Sequence, residues 1–202
     1  MFNRIASVTT TVLLASVASA AVTGVAGQAT LVGAPPIANF PPLSGPNAFV
    51  WDEQQNSSNS AGTLCDMTLN PSSSVLPTPG PVFGPVDSHF IHIANFTGTS
   101  TIGTVFYSNP IIGVIYNDQW LDISDIPLGA PGTAYPTGQP LRGMQAGVVQ
   151  INANVLRFDI PATPGAAEIT QIRVLTRPVP TPGALALAGL GGIVAVRRRR
   201  GA

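Results

Sequence analysis

The chain has 202 residues, of which 21 are glycine and 20 are proline, and this density of turn-forming residues disfavours long helices and favours short strands. Residues 21–178 carry four arginines against nine carboxylates, a net charge of −5. An acidic body lacks the basic face that nucleic-acid binding requires, so we expect no nucleic-acid partner. The single cysteine, Cys65, excludes an intramolecular disulfide and is predicted to be a small buried apolar residue.

The first 20 residues have the three parts of a secretory signal peptide. Arg4 and the amino terminus give a weakly positive start, residues 5–17 are apolar, and Ala18, Ser19 and Ala20 form an A-x-A cleavage site. We predict a cut by signal peptidase after Ala20, with a cut after Gly27 as the alternative. The segment therefore predicts an exported protein.

Residues 21–44 are rich in proline and glycine, and we expect them to run extended along the surface. Residues 45–178 contain a succession of short runs with strand character and are expected to form one domain. The runs lie at 47–53, 62–69, 89–96, 102–108, 111–117, 147–152, 154–160 and 169–176.

The pattern within these runs predicts which strands have one buried face. Apolar residues alternate with polar ones in 154–160, where Arg157 and Asp159 share the polar face. In 169–176, Gln171 and Arg173 oppose Ile172 in the same way. The run 111–117 is apolar on both faces and should be a central strand.

A hairpin is predicted between the runs 147–152 and 154–160, with turn chemistry supplied by Asn152 and Asn154. Eight short strands without a convincing amphipathic helix predict an all-β body. We expect an antiparallel two-sheet β-sandwich of jelly-roll type.

The connection 117–147 is long enough to hold a binding site. Its carboxylates and aromatic rings suit a hydroxyl-rich ligand, or calcium, which takes about six to eight oxygen ligands. The competing interpretation is that the loop caps one end of the sheets, with its tryptophan buried and its aspartates bound to backbone amides. The candidate residues are Asp118, Trp120, Asp122, Asp125 and Tyr135.

Other combinations of reactive residues do not converge in the sequence. His89 and His92 lie three residues apart on a predicted strand, so their rings should point to opposite faces and share no metal. Asp52 and Glu53 are adjacent on another strand and should likewise point apart. The body has no G-x-S-x-G, H-E-x-x-H or phosphate-binding glycine loop. We therefore predict no catalytic residues and no cofactor other than the calcium considered above.

The last 24 residues have the layout of a short membrane segment. Pro180 and Pro182 interrupt any preceding structure, and the uncharged run 184–196 would be about 20 Å long as a helix, against about 30 Å for the hydrocarbon core. Four cations follow and should remain cytoplasmic, which places the body outside. These cations are Arg197, Arg198, Arg199 and Arg200.

This order of a Pro-x-Pro motif, a short apolar helix and a terminal arginine cluster resembles the PEP-CTERM sorting signal of exported bacterial proteins. Thr181 stands where that family usually has glutamate. The resemblance implies that an exosortase-type membrane enzyme cleaves near the motif, so that membrane association is transient; a permanent tail anchor is the alternative. The motif residues are Val179, Pro180, Thr181, Pro182 and Gly183.

These features predict a non-enzymatic protein of the cell surface or extracellular matrix, in contact with exopolysaccharide through aromatic and carboxylate side chains. The alternative is a secreted hydrolase that acts on such polymers. A hydrolase would require two carboxylates facing each other across a cleft.

Overall fold

A computed structural model describes residues 21–39, 42–69, 77–95, 98–162 and 169–178. These residues belong to a compact unit that spans Ser19–Val179. The predicted signal peptide (1–20), the Pro-x-Pro motif and the arginine cluster all lie outside the described residues. No helix within the described ranges is long and apolar enough to cross a membrane.

The described residues form short strands and one helix. The strands are β1 (Val22–Gly27), β2 (Ala29–Leu31), β3 (Ala48–Asp52), β4 (Thr63–Thr68), β5 (Thr78–Val82), β6 (Asp87–Ile93), β7 (Thr101–Tyr107), β8 (Ile111–Ile115), β9 (Val148–Asn152), β10 (Val155–Ile160) and β11 (Thr170–Thr176); the helix is α1 (Asp118–Leu128). Each of the eight predicted runs overlaps one of these strands, and β6 and β7 begin two residues and one residue before their predicted runs.

The strands form two sheets. One has four strands in the order β1-β7-β10-β9, and the other has seven in the order β2-β3-β6-β11-β8-β4-β5. Neighbouring strands are antiparallel except for the parallel pair β2 and β3. The predicted β-rich body with two sheets is confirmed, and β8 is an interior strand as predicted.

The two sheets share a hydrophobic core. Val105 and Phe158 of the four-stranded sheet belong to the same buried cluster as Ile91 and Val174 of the seven-stranded sheet. The alternation in β10 is confirmed, because its apolar side chains enter this core while Arg157 and Asp159 are exposed.

The hairpin between β9 and β10 is also confirmed. Asn152 pairs with Val155, so the loop consists of Ala153 and Asn154. Ala153 adopts a φ of 53°, and the Asn154 side chain donates to the Tyr107 carbonyl at 2.7 Å. Asn152 ends the strand and does not enter the turn.

Residues 21–44 differ from the expected extended surface segment. They contribute β1, which pairs with β7 in one sheet, and β2, which pairs with β3 in the other. Val22 is 6% exposed and belongs to the core between the sheets. The chain therefore enters both sheets within its first described residues.

A third layer covers the outer face of the seven-stranded sheet, and the sequence did not predict it. Leu121 and Leu128 of α1 pack with Trp51 and Phe90 in a second buried cluster. As a result Gln171 and Arg173, predicted on a polar face of β11, are fully buried. The seven-stranded sheet is therefore covered on both sides in the region of β11.

Gly113 tests the packing of β8. A Cβ atom at this position would lie 2.7 Å from Cys65 Sγ and 3.0 Å from Val82 Cγ2. Because overpacking a close-packed core forces its neighbours to move, we expect Gly113→Ala to lower the free energy of unfolding by about 1–3 kcal/mol in denaturant titrations. Gly33→Ala is the matched control, since a Cβ there meets nothing within 4 Å; equal stability of the two variants would contradict the packing of β8.

Candidate functional site

Helix α1 begins where β8 ends, and local hydrogen bonds fix that junction. Asp66 Oδ2 accepts from the backbone amides of Tyr116 and Asn117 at 2.7 and 2.9 Å. Asn117 then caps the helix, because its side chain accepts from the Gln119 amide at 3.0 Å. The helix thus occupies the first part of the predicted 117–147 loop, where no helix was predicted.

The face that α1 buries is partly polar. Its buried residues are Leu121, Ser124, Asp125 and Leu128, which have helical spacing. The two polar members point at the buried arginine of β11, and the apolar residues Ile123 and Ile126 are exposed. The helix is therefore bound to the sheet by hydrogen bonds and ion pairs as well as by apolar contact.

Buried polar side chains lie between α1 and the seven-stranded sheet, and we call them the polar layer. The Arg173 guanidinium lies at its centre. It binds Glu53 through two bonds, from Nε at 2.7 Å and from Nη2 at 2.9 Å. Nη1 donates to Ser124 Oγ and the Leu121 carbonyl, and Nη2 also donates to Asp125 Oδ1 at 3.1 Å. All five N–H donors of the guanidinium therefore have an acceptor, as burial of a cation requires.

Aromatic rings lie near the same guanidinium. Its central carbon is 4.9 Å from the Phe90 ring centroid and 5.3 Å from that of Tyr135. Burial alone lowers the pKa of Arg173, but the charge and hydrogen bonds of Glu53 and the charge of Asp125 outweigh it, so the pKa is raised above its ordinary value. The cation is permanent at any pH at which the protein folds.

Tyr135, one of the predicted ligand residues, belongs to this layer. Its hydroxyl donates to Glu53 Oε1 and accepts from the Ala130 amide at 2.9 Å. Burial, followed by the charge of Glu53 and the hydrogen bond to it, raises the pKa of this hydroxyl. Tyr135 thus closes the layer from the side of the loop.

A second buried arginine, Arg142, connects α1 to the loop that follows it. Its Nη1 atom lies 2.6 Å from Asp122 Oδ1 and 2.7 Å from Asp125 Oδ2. Its Nε donates to Gln171 Oε1 at 2.8 Å. Asp125 bridges the two arginines, since it also binds Arg173.

The layer continues through Gln171 to His92. Gln171 Nε2 lies 3.0 Å from His92 Nδ1, and it also donates to the Ala38 carbonyl at 2.8 Å. His92 Nε2 lies 3.0 Å from the Leu43 carbonyl. Because a carbonyl only accepts, the proton of His92 is on Nε2, and Nδ1 accepts from Gln171.

The three predicted aspartates do not converge on a common point. Asp118 accepts from the backbone amides of Leu141 and Gly143 at 2.9 and 2.6 Å. Asp122 accepts from the Gly138 amide as well as from Arg142. No group of three or more histidine, cysteine or carboxylate side chains in the described ranges is arranged to hold a metal. Asp118 and Asp122 bind backbone amides, as in the capping interpretation, whereas Asp125 binds the two arginines and Thr137.

Trp120 departs from the capping interpretation, in which it would be buried. It is only half-buried, because it packs against the second buried cluster and is also partly exposed to solvent. There it lines a groove of about 650 Å³ between α1 and residues 54–64, which we call the α1 groove. Of the five predicted residues of 117–147, Trp120 lines this groove and the other four do not.

His89 does not belong to the polar layer, because it lies on the opposite face of the seven-stranded sheet and faces the core between the two sheets. Its Nδ1 is 2.6 Å from Asp52 Oδ1, and its Nε2 is 3.0 Å from Thr176 Oγ1. This order of carboxylate, imidazole and hydroxyl is that of a hydrolase triad. However, Thr176 and His89 are both 0% exposed, and the Tyr107 ring packs on His89 with centroids 4.8 Å apart. The hydroxyl cannot meet a substrate in this arrangement.

The remaining predicted residues follow the strand geometry. His89 and His92 point to opposite faces of β6, as predicted, and Asp52 and Glu53 point to opposite faces of the sheet. Cys65 is buried, as predicted, and donates weakly to the Thr63 carbonyl. Burial, with the charge of Asp66, raises the pKa of its thiol to about 12, so the thiol is unreactive.

The sequence did not single out Arg142, Arg173 and Gln171, which organise the polar layer. The helical spacing of residues 121, 124, 125 and 128 is the available signal, but two of these four residues are polar, so the pattern does not resemble an ordinary amphipathic helix. Comparisons with protein-family models, with curated proteins and with solved structures found no match to this chain. What the site can do therefore follows from its own geometry.

Replacing Arg173 tests the polar layer. Arg173→Met leaves the buried Glu53 carboxylate without its cation, so we expect the free energy of unfolding to fall by about 3–5 kcal/mol in denaturant titrations. Arg157→Met, on the exposed face of β10, is the matched control and should change it by less than about 0.5 kcal/mol. Adding Glu53→Gln to Arg173→Met should restore part of the loss; identical behaviour of the two single variants would contradict the buried pair.

His92 predicts a loss of stability in acid. Burial, assisted by the positive charge of Arg142, lowers the pKa of His92 from 6.5 to about 4, although the Leu43 carbonyl opposes this. The folded state therefore favours neutral His92. The contribution of His92 to the free energy of unfolding is complete above pH 6.5 and is lost as the pH falls towards 4. The total is about 3 kcal/mol. Stability measured from pH 7.5 to 4 should fall more steeply for the natural protein than for His92→Gln, and equal slopes would contradict the assignment.

Proposed function

We propose that this chain is an exported bacterial protein whose body, a β-sandwich of jelly-roll type, is a non-catalytic component of the cell surface or the exopolysaccharide matrix. Signal peptidase removes residues 1–20. The PEP-CTERM-like tail then holds the body at the inner membrane until an exosortase-type enzyme cleaves near residues 179–183. The body is released or transferred to the cell surface, where it meets extracellular polysaccharide.

One observation carries the proposal: the compact unit Ser19–Val179 has nearly the same limits as the body between the two proposed cuts. β1 begins at Val22, two residues after Ala20, and β11 ends at Thr176, three residues before Val179. Both cuts therefore leave every described strand in the product.

The structure favours a first cut after Ala20 over one after Gly27. A cut after Gly27 would remove β1, which pairs along β7 from Val22 to Gly27. It would also remove the buried Val22 side chain and the hydrogen bond from its amide to Asp52 Oδ1 at 3.0 Å. The product of that cut would have an incomplete four-stranded sheet.

Hydrogen bonds hold the carboxyl-terminal end of the described body, at Arg177, just before the proposed second cut. The Asn109 side chain donates to the Arg177 carbonyl at 2.7 Å, and the Arg177 amide donates to the Pro110 carbonyl at 3.4 Å. Cleavage after residue 179 removes neither bond. The Pro-x-Pro motif then serves as a short linker between the fold and the membrane segment.

The proposal of a non-catalytic body is supported by how the ionisable side chains are used. Glu53, Asp122 and Asp125 are bound to buried arginines, and Asp118 is bound to backbone amides. The α1 groove has no ionisable residue in its lining. The jelly-roll type is supported by the shared core and by the way the chain passes between the two sheets.

Mass measurement of the secreted protein tests the proposal. We expect a product that begins at Ala21 and ends near residues 179–183, because neither cut removes a described strand. Replacing Arg197, Arg198, Arg199 and Arg200 by alanine should weaken retention on the cytoplasmic side and change the amount of correctly processed product. Arg177→Ala, just outside the tail, is the control. Secreted protein that still ends in Ala202, or that begins at Gln28, would contradict the proposed processing.

A further inference from the structure

The α1 groove has an uncharged lining, although the body around it is acidic. It lies between the solvent side of α1 and residues 54–64, and its volume of about 650 Å³ is in the range of small-ligand sites. None of its lining residues is aspartate, glutamate, arginine or histidine. A ligand that carries no charge matches this lining, because a bound ion would find no partner there.

One wall of the groove is apolar and exposed. Ile126 is 90% exposed and Ile123 is 62% exposed, and Trp120 lies half-buried one helical turn before Ile123. Exposed apolar side chains that adjoin one another mark interaction surfaces more often than isolated ones do. An indole ring in such a place offers a flat apolar surface against which a ring can stack.

The opposite wall is polar, and part of its hydrogen-bonding capacity is unused. Within the described residues, the side chains of Gln54, Ser58 and Ser60 form no hydrogen bond, whereas neighbouring Asn59 is bound to the Val82 carbonyl and to Thr63. Ser58 and Ser60 are exposed. The wall therefore presents neutral donors and acceptors to a ligand facing Trp120.

Both walls are fixed by the interior of the protein. The backbone amide of Gln54 donates to the Leu128 carbonyl at 3.3 Å, and Ser57 Oγ donates to the Pro127 carbonyl at 3.2 Å. Arg173 holds α1 from below through Ser124 and the Leu121 carbonyl. A groove held in this way loses little conformational entropy when a ligand binds.

We infer that the α1 groove binds a neutral polysaccharide, with one sugar ring stacked on Trp120 and its hydroxyls hydrogen-bonded by Gln54, Ser58 and Ser60. A sugar ring has an apolar face and a rim of uncharged hydroxyls, which is the combination that the two walls complement. The inference rests on the proposed function, since an exported protein meets such polymers outside the cell.

The test titrates the purified full-length protein with neutral oligosaccharides of glucose, mannose and galactose, and with charged alginate oligomers, by calorimetry and Trp fluorescence. We expect binding of at least one neutral series and none of alginate. Trp120→Ala should weaken this binding about tenfold or more, because the stacking surface is lost. Gln54→Ala should weaken it severalfold without changing the melting temperature, so that a folding defect in Trp120→Ala does not decide the result. Ile102→Ala, which removes an apolar side chain 54% exposed on the other sheet, is the matched control.

The inference is overturned if no neutral oligosaccharide binds, if binding is unchanged in both groove variants, or if alginate alone binds. It is also overturned if Trp120→Ala abolishes self-association in light scattering while no sugar binds, because the groove would then hold a second copy of the chain. Correct processing without sugar binding would refute the groove and leave the proposed function standing. Sugar binding by a chain that is never processed would support the groove and refute the proposed function.

Discussion

The fold depends on the placement of a positive charge, Arg173, inside the protein. Arg173 sits in the middle of the seven-stranded sheet on β11, and no stable fold could leave it there alone. Glu53, the residue directly after β3, neutralises it, and Ser124, Asp125 and the Leu121 carbonyl complete its bonds from α1. The position and rotation of the helix on the sheet are therefore set by directional bonds, which an apolar contact surface would not specify.

This constraint explains why the accessible features of α1 are unusual. The helix turns polar residues inward to meet the arginines, so Ile123 and Ile126 remain on the solvent side. Asp125 serves both Arg173 and Arg142 and thereby fixes the loop after α1 to the same layer. The groove beside Trp120 is thus a by-product of the way in which the interior is neutralised.

Sequence reasoning succeeded where side-chain polarity reports burial. β10 alternates polar and apolar residues because one of its faces meets water, and β8 is apolar throughout because both of its faces are covered. The same reasoning failed for β11, since Arg173 and Gln171 have the pattern of an exposed face although a third layer covers them. It missed α1 for the complementary reason, because Ser124 and Asp125 on the buried face and Ile126 on the exposed face reverse the usual amphipathic pattern.

Of the candidate site, the sequence placed Trp120 and Tyr135 in the right segment. It could not show that the aspartates bind Arg142 and backbone amides, because those partners lie 16 to 25 residues away along the chain.

The position of β11 also determines how the body responds to mechanical load. β11 has β6 on one side and β8 on the other, and its pairing with β6 runs from Thr170 to Thr176. A pull along the strand from its carboxyl end would load the hydrogen bonds to both neighbours together, in shear. Separating them one after another, as at a sheet edge, would need much less force. β11 would therefore resist such a pull through both of its ladders at once.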